Sequence, residues 1–402
     1  MRFALAIGLC LAPFVALDLM SPDVASAKDR SRLKAQPAVQ APKAQPAVQA
    51  KSQKSPVAIR GRYRAELNDN TVTIMAGGAS GADAALVQDI AAVLDDGAAM
   101  RVVPMIGKGP AQTLKDVMFM RGVDMGITQA NILKHFAKTG ELGPLESQIA
   151  YVAKLFNEEM HVLAHAGIAD LAALDGKIVN IGPEGSGLEL TARAVFAALG
   201  VSVRATHLDT ADALAKLKAG EIDATVVIAG KPAPTLAHLG GDSGLKFIGL
   251  PYTKDLEDDY YPATLTHADY PSLIEDGARV DTVAVCAVLV SFNWSNDSAR
   301  TKKLARFVDR FFSNFDAFLV TPRHPKWRQV NFAATLEGWQ RSPLAQSWID
   351  QAKTAVAADG QGQQRFQTFL AQADIGRAQV SEDQRVQLFR DFVEWSKTQK
   401  QN

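Results

Sequence analysis

Cysteine is nearly absent: two residues in 402 exclude a disulfide framework. Cys10 sits in an N-terminal apolar run, so one thiol, Cys286, would remain in an exported mature chain. It lies in the apolar stretch Thr282–Val290 and reads as a buried small hydrophobe rather than a reactive group. A surplus of either charge is also missing. The 43 Lys and Arg balance 43 Asp and Glu, which gives no basic excess for nucleic acid. No secure membrane span is present, because the run Phe3 to Leu17 is short and Asp18 interrupts its end. Two glycine-rich turns occur, but neither carries the phosphate-loop pattern or G-x-G-x-x-G. No Ser/His/Asp or Cys/His arrangement stands out. His161 and His165 are four apart in a strand-like stretch, where four residues span roughly 13 Å, too far for one metal ion. The expectation is a protein without cofactor, metal or catalytic machinery.

The N-terminus carries an address and a spacer. Arg2, the apolar run and the small-residue site Ala25-Ser26-Ala27 read as a secretory signal peptide cleaved after Ala27, with an uncleaved anchor as the alternative. Residues 34–51 repeat a nine-residue unit, Lys34-Ala-Gln-Pro-Ala-Val-Gln-Ala-Pro42 and its copy from Lys43. With regular proline and no apolar period, this is an extended spacer. Charge is uneven around it: residues 28–64 are net +9 and residues 65–402 net −8.

Regular structure is expected from Thr71 onwards, as one unit written twice. Thr71–Ala76 alternates as a strand, Gly77–Gly81 turns, and Ala82–Leu94 places Leu86, Ile90 and Leu94 on one helical face. A strand at 101–103, a helix from Pro110 and a strand at 123–128 follow. A hundred residues on, the order returns: strand 177–181, turn Gly182–Gly187, helix 188–199, strand 201–206, a helix capped by Thr210, and strand 222–228. Both units close with a glycine and then an aspartate, Asp124 or Asp223, leading an apolar strand. Two β-α-β-α-β units predict two doubly wound α/β lobes, with ligands bound beyond the strand ends in a cleft. Ala150–His165 should cross from one lobe to the other and Val283–Ser291 should cross back. Residues 299–320 form an amphipathic helix on the first lobe. Residues 336–402 look helical, with a capping box at Ser381–Gln384.

The glycine turns carry the chemistry. Each aims backbone N–H groups and a helix N-terminus at the cleft, a setting for an anion, and Ser80 and Ser186 add hydroxyls. Tight strand–helix packing alone is the alternative reading. Glu158-Glu159, at the crossover, either receives a ligand cation or simply sits exposed.

Several of these stretches resemble the TAXI-type solute-binding subunits of TRAP transporters. They are Gly182-Pro-Glu-Gly-Ser-Gly-Leu-Glu-Leu-Thr-Ala192, Gly77-Gly-Ala-Ser-Gly81, Gly126-Ile-Thr-Gln129, Ala229-Gly-Lys-Pro-Ala-Pro234, Tyr260-Tyr-Pro-Ala-Thr264 and Asp281–Val285. The likeness spans about residues 71–320. It implies a periplasmic, type II-like two-lobe clamp, not an enzyme, acting as a monomer that feeds a small anionic ligand to TRAP permease subunits. The ligand class implied is small carboxylates: acidic amino acids, oxo acids or dicarboxylic acids. A binding module serving a sensor or envelope complex, without a transporter, is the rival. The cleft residues implied by position are Gly78, Ser80, Gly81, Gln129, Glu158, Ser186, Gly187 and Gly230, with Tyr260 or Tyr261 as a wall. The pattern departs after the first turn, where Asp83-Ala-Ala85 replaces the Tyr-Tyr-Pro often found there. A carboxylate is gained and an aromatic wall lost. Lys231 either compensates as a cation or points to solvent. The domain plan is a leader at 1–27, a linker at 28–70, lobe one at 71–157 with 283–335, lobe two at 158–282, and a helical extension at 336–402.

Overall fold

A computed structural model describes residues 55–78, 81–294 and 298–358. The leader, the repeat, Ser80 and the capping box at Ser381 lie outside the described residues.

Helix α1, Pro56–Asn70, comes first, then strand β1, Thr71–Ala76. Helix α2 (Ala82–Leu94), β2 (Arg101–Ile106), α3 (Pro110–Phe119) and β3 (Met125–Gln129) complete the first unit. Helices α4 (Ala130–Thr139) and α5 (Leu145–Gln148) lead into the long strand β4, Ile149–His165. The second unit is β5 (Ile178–Asn180), α6 (Gly187–Ala198), β6 (Arg204–Thr206), α7 (Thr210–Lys218) and β7 (Ala224–Ala229). After α8 (Pro234–Ala237), β8 (Leu245–Phe247) and β9 (Tyr261–Thr266), the chain returns through β10, Arg279–Phe292. It ends in α9 (Ala299–Ser313), a 3-10 turn at Pro325–Gln329 and α10 (Pro343–Ala358).

The strands form one sheet in the order β2-β1-β3-β10-β4-β7-β5-β6, with β8 on β4 and β9 on β10. Within each unit the strands are parallel: β1 beside β2 and β3, β5 beside β6 and β7. The two long antiparallel strands join the halves. β4 pairs with β10 over Ile149–Glu159 and with β7 over Glu159–Ala164. β10 pairs with β9 over Arg279–Ala284 and with β3 over Ala287–Ser291. The sheet changes partners at Glu158–Glu159 on one strand and Ala284–Ala287 on the other. The ladder between them slips beside Cys286, with a second slip at Leu289–Val290. This is the expected mixed α/β, two-lobed, type II-like architecture.

The repeated aspartate has a structural task. Asp124 accepts from the Thr73 amide at 2.9 Å, and Asp223 accepts from the Ile178 amide at 2.8 Å. In each unit the carboxylate that opens the third strand binds the backbone of the first. Asp124 also receives Lys303 at 2.7 Å, which ties α9 to lobe one.

Four readings need correction. Residues 56–70, within the stretch read as a linker, form a helix. Ser55 caps it and Pro56 opens it, but it buries no side chain, so no apolar stripe marks it. The segment 299–320 breaks after Ser313, and residues 315–318 form a separate 3-10 turn. Thr210 is the first helical residue of α7, with Asp209 at the cap. Helix α4 follows β3 without a turn residue between them, so the pattern hid it. It buries Ile132, Leu133 and Phe136 against lobe one.

The lobe-one core is aromatic. Phe307, Phe311, Phe318 and Trp327 are all buried, and Phe312 stacks on Phe332 with ring centres 4.0 Å apart. Each such ring contributes about 1.5–3 kcal/mol on burial. This cluster fixes the segment after α9 against the crossing strands.

Candidate functional site

The cleft lies where the carboxyl ends of β1 and β3 face those of β5 and β7. The two lobes touch across it. An added Cβ on Gly187, at the start of α6, would lie 2.4 Å from Cγ of Pro110 at the start of α3. Only glycine permits that approach. An added Cβ on Gly230 would meet Lys326 Cε at 2.8 Å and Ala82 Cβ at 3.4 Å. Asn131 of α4 donates to Thr191 of α6 at 2.7 Å, buried, and Lys134 pairs with Asp259 at 3.0 Å.

Both glycine turns already hold a carboxylate of the chain itself. In the first, Asp83 accepts from the Gly77 amide and, at 2.9 Å, from the Ala84 amide. Gly78 and Gly81 flank it; a Cβ on Gly81 would lie 2.3 Å from the Asp83 carboxylate. In the second, Glu189 accepts from the Gly185 amide at 2.6 Å and from Arg193 at 2.8 Å. The Ser186 hydroxyl caps α6 by accepting from the Glu189 amide at 3.2 Å. Its own proton remains to be given. Sequence reasoning missed Glu189, although Ser186-Gly-Leu-Glu189 has the spacing of a capping box.

At the crossover, Gln129 and Glu158 meet. The Gln129 Nε2 donates to Glu158 at 2.8 Å. Gln129 is 4% exposed, and its carbonyl Oε1 has no hydrogen-bond partner. The Asn131 Oδ1 is likewise buried without a partner. Glu158 is pushed up to about 8, chiefly by desolvation and then by the charge of Asp83; Gln129 works in the opposite sense. Burial also raises Asp83, against the pull of its amide donors.

Glu159, next along β4, is 4% exposed and has its own cation. Lys326, 3% exposed, reaches in from the turn after α9. Its Nζ contacts the two Glu159 oxygens at 3.1 and 3.2 Å, the Asn157 carbonyl at 2.8 Å and Gln329 at 3.3 Å. Glu159 also accepts from the Lys231 amide at 2.8 Å. A lone lysine in a coil segment gives no sequence signal for this role. Lys231 itself turns to Asp269, at 2.9 Å, and to the Thr264 carbonyl at 2.5 Å.

The two tyrosines separate. Tyr260 is buried in the lobe-two core, facing Asn131, and desolvation raises it to about 12. Tyr261 is 39% exposed, and its hydroxyl accepts from Lys154 at 3.3 Å. His161 and His165 lie along β4. His161 is buried, with Nδ1 3.3 Å from the Val227 carbonyl and Nε2 2.7 Å from the Tyr270 hydroxyl. Desolvation lowers it to about 4, which keeps it neutral. Beside the cleft an open pocket of about 200 Å³ has Gly81, Ala82, Gln88, Gly230, Pro232 and His324 in its wall.

Two α/β lobes, two crossing strands and a polar cleft at the crossing define a two-lobed binding protein. The chain belongs to the NMT1-like family, whose model matches residues 74–300, more than half of its length. Solved structures similar to it include one described as a periplasmic transporter: 13% identity, TM-score 0.40, 62% of this chain and 85% of that one. The periplasmic binding protein BugD matches at 14% identity and TM-score 0.41, over 64% and 85%. The periplasmic aliphatic sulphonate binding protein SsuA from Escherichia coli matches at 14% and 0.36, over 73% and 79%. Likeness at this level transfers no ligand.

Proposed function

We propose that this chain is an exported, periplasmic solute-binding protein of the TAXI type. It closes two lobes on a small carboxylate-bearing solute and presents it to a TRAP-type permease. One observation carries the reading: polar side chains of the crossover line a cleft whose walls meet at Gly187 and Gly230, residues that let the lobes come together. Closure follows when a solute touching both lobes binds the closed form better than the open one. The N-terminus of α6, with the Ser186 hydroxyl, is the place for the solute's carboxylate. Among the described residues, no group of three His, Cys, Asp or Glu is placed to hold a metal.

The test is mass spectrometry of small molecules released from protein purified from its native periplasm. The expected result is one carboxylic acid in near-stoichiometric amount, absent from a Gly187→Val preparation. A purified protein that carries and binds no small molecule would sink the reading.

A further inference from the structure

Helix α4 serves two lobes with two faces. Ile132, Leu133 and Phe136 are buried in the lobe-one core. Asn131 and Lys134, three residues apart and so on one side of the helix, both reach lobe two. The Asn131 Nδ2 donates to the Thr191 hydroxyl of α6 at 2.7 Å, and the two residues are 7% and 1% exposed. The Lys134 Nζ pairs with Asp259 at 3.0 Å and donates to the Asp258 carbonyl. Tyr260, the next residue, lies in the lobe-two core and faces Asn131. Among the described residues, the side chains of Asn131, Lys134 and Thr191 have no hydrogen bond or ion pair within their own lobe. They are satisfied across the gap, and only while the lobes meet. With the lobes apart, water takes over each of these groups.

We infer that α4 is an interlobe latch: Asn131, Lys134 and Tyr260 are positioning residues that set how firmly the clamp shuts. They act through closure rather than on the solute. This rests on the solute-binding reading and deepens it. Tyr260, which the resemblance implies as a wall for the solute, belongs to the latch instead.

The affinity of a clamp is that of its closed form, reduced by the fraction of molecules able to adopt it. A latch enters the second factor alone. Weakening it lowers the affinity for every solute by the same ratio and leaves selectivity untouched. A residue that contacts the solute changes the ratios between solutes. The loss appears in release, because opening precedes escape, while association keeps its rate. The two arms of the latch differ in their response to salt. Asn131 and Thr191 are buried and neutral. Lys134 and Asp259 have side chains 35% and 45% exposed, and salt screens such a pair.

The experiment is calorimetry and stopped-flow release with glutamate, pyruvate and succinate, and with the solute that co-purifies. Asn131→Ala should weaken every probe that binds wild type about 5- to 30-fold, because the buried Thr191 hydroxyl then lacks its partner in the closed form. Thr191→Val should match it, and the double variant should be no worse than either single one. Lys134→Met should cost about two- to fivefold at low salt and nothing at about 0.5 M salt. Lys134→Arg should bind as wild type. Solute-free melting should stay within a few degrees throughout, which a merely structural role would not allow. Unchanged affinity in Asn131→Ala, additive losses in the double variant, losses that differ about tenfold between probes, or a large fall in solute-free stability each overturn the latch and leave the solute-binding reading standing. If wild type binds no probe and no solute co-purifies, both fall together.

Discussion

Replacing Lys326 with methionine should destabilise the protein by about 3–5 kcal/mol, the usual loss when one partner of a buried ion pair is removed. Lys326 and Glu159 are 3% and 4% exposed, so water cannot replace the lost contact. Methionine keeps an aliphatic stem beside Phe156, and the loss is therefore electrostatic rather than a cavity effect. The Asn157 carbonyl and Gln329 lose a donor as well. Denaturant unfolding of Lys326→Met, of Glu159→Gln and of the double variant measures it. The double variant should recover part of the loss, because the uncompensated charge has gone too. A loss under about 1 kcal/mol for Lys326→Met would mean that solvent reaches the pair.

Gly187→Val should weaken solute binding about 10- to 100-fold, because overpacking a close contact costs about 1–3 kcal/mol. The added Cβ would stand 2.4 Å from Pro110 Cγ, a ring held at the first turn of α3 and unable to swing aside. The strain exists only when the lobes meet. The unliganded protein should therefore melt within a few degrees of wild type while binding suffers. Calorimetry and a thermal scan of the same preparation separate the two effects. Unchanged affinity would show that Gly187 and Pro110 do not meet in the liganded state.

Much of the fold was legible because its signals are local. Alternating apolar residues, a glycine turn and a 3.6-residue helical stripe, each written twice, are enough to place β1 to β3 and β5 to β7 with their helices. The recurring Gly–Asp signature was visible, but its meaning was not. Only the parallel neighbours reveal that Asp124 and Asp223 bind the backbone of the first strand. Helix α1 escaped because it has no buried face, and α4 because no punctuation separates it from β3. The site was legible in its parts. Glu158, Gln129 and the glycine turns could be marked, and Asp83 stood out as a carboxylate in an unusual place. Their arrangement depends on contacts between residues far apart in the chain. Asp83 and Glu189 occupy the turns' own amides, and Lys326 comes from 167 residues beyond Glu159. No spacing rule reaches that far.

The central claim is a clamp, and small-angle scattering of the protein, stripped of solute and then saturated with the solute that co-purifies, tests it most directly. The account predicts a smaller radius of gyration with solute, and a liganded profile matching the closed arrangement in which Gly187 meets Pro110. Identical profiles with and without solute, in a sample that calorimetry shows to be binding, would contradict it.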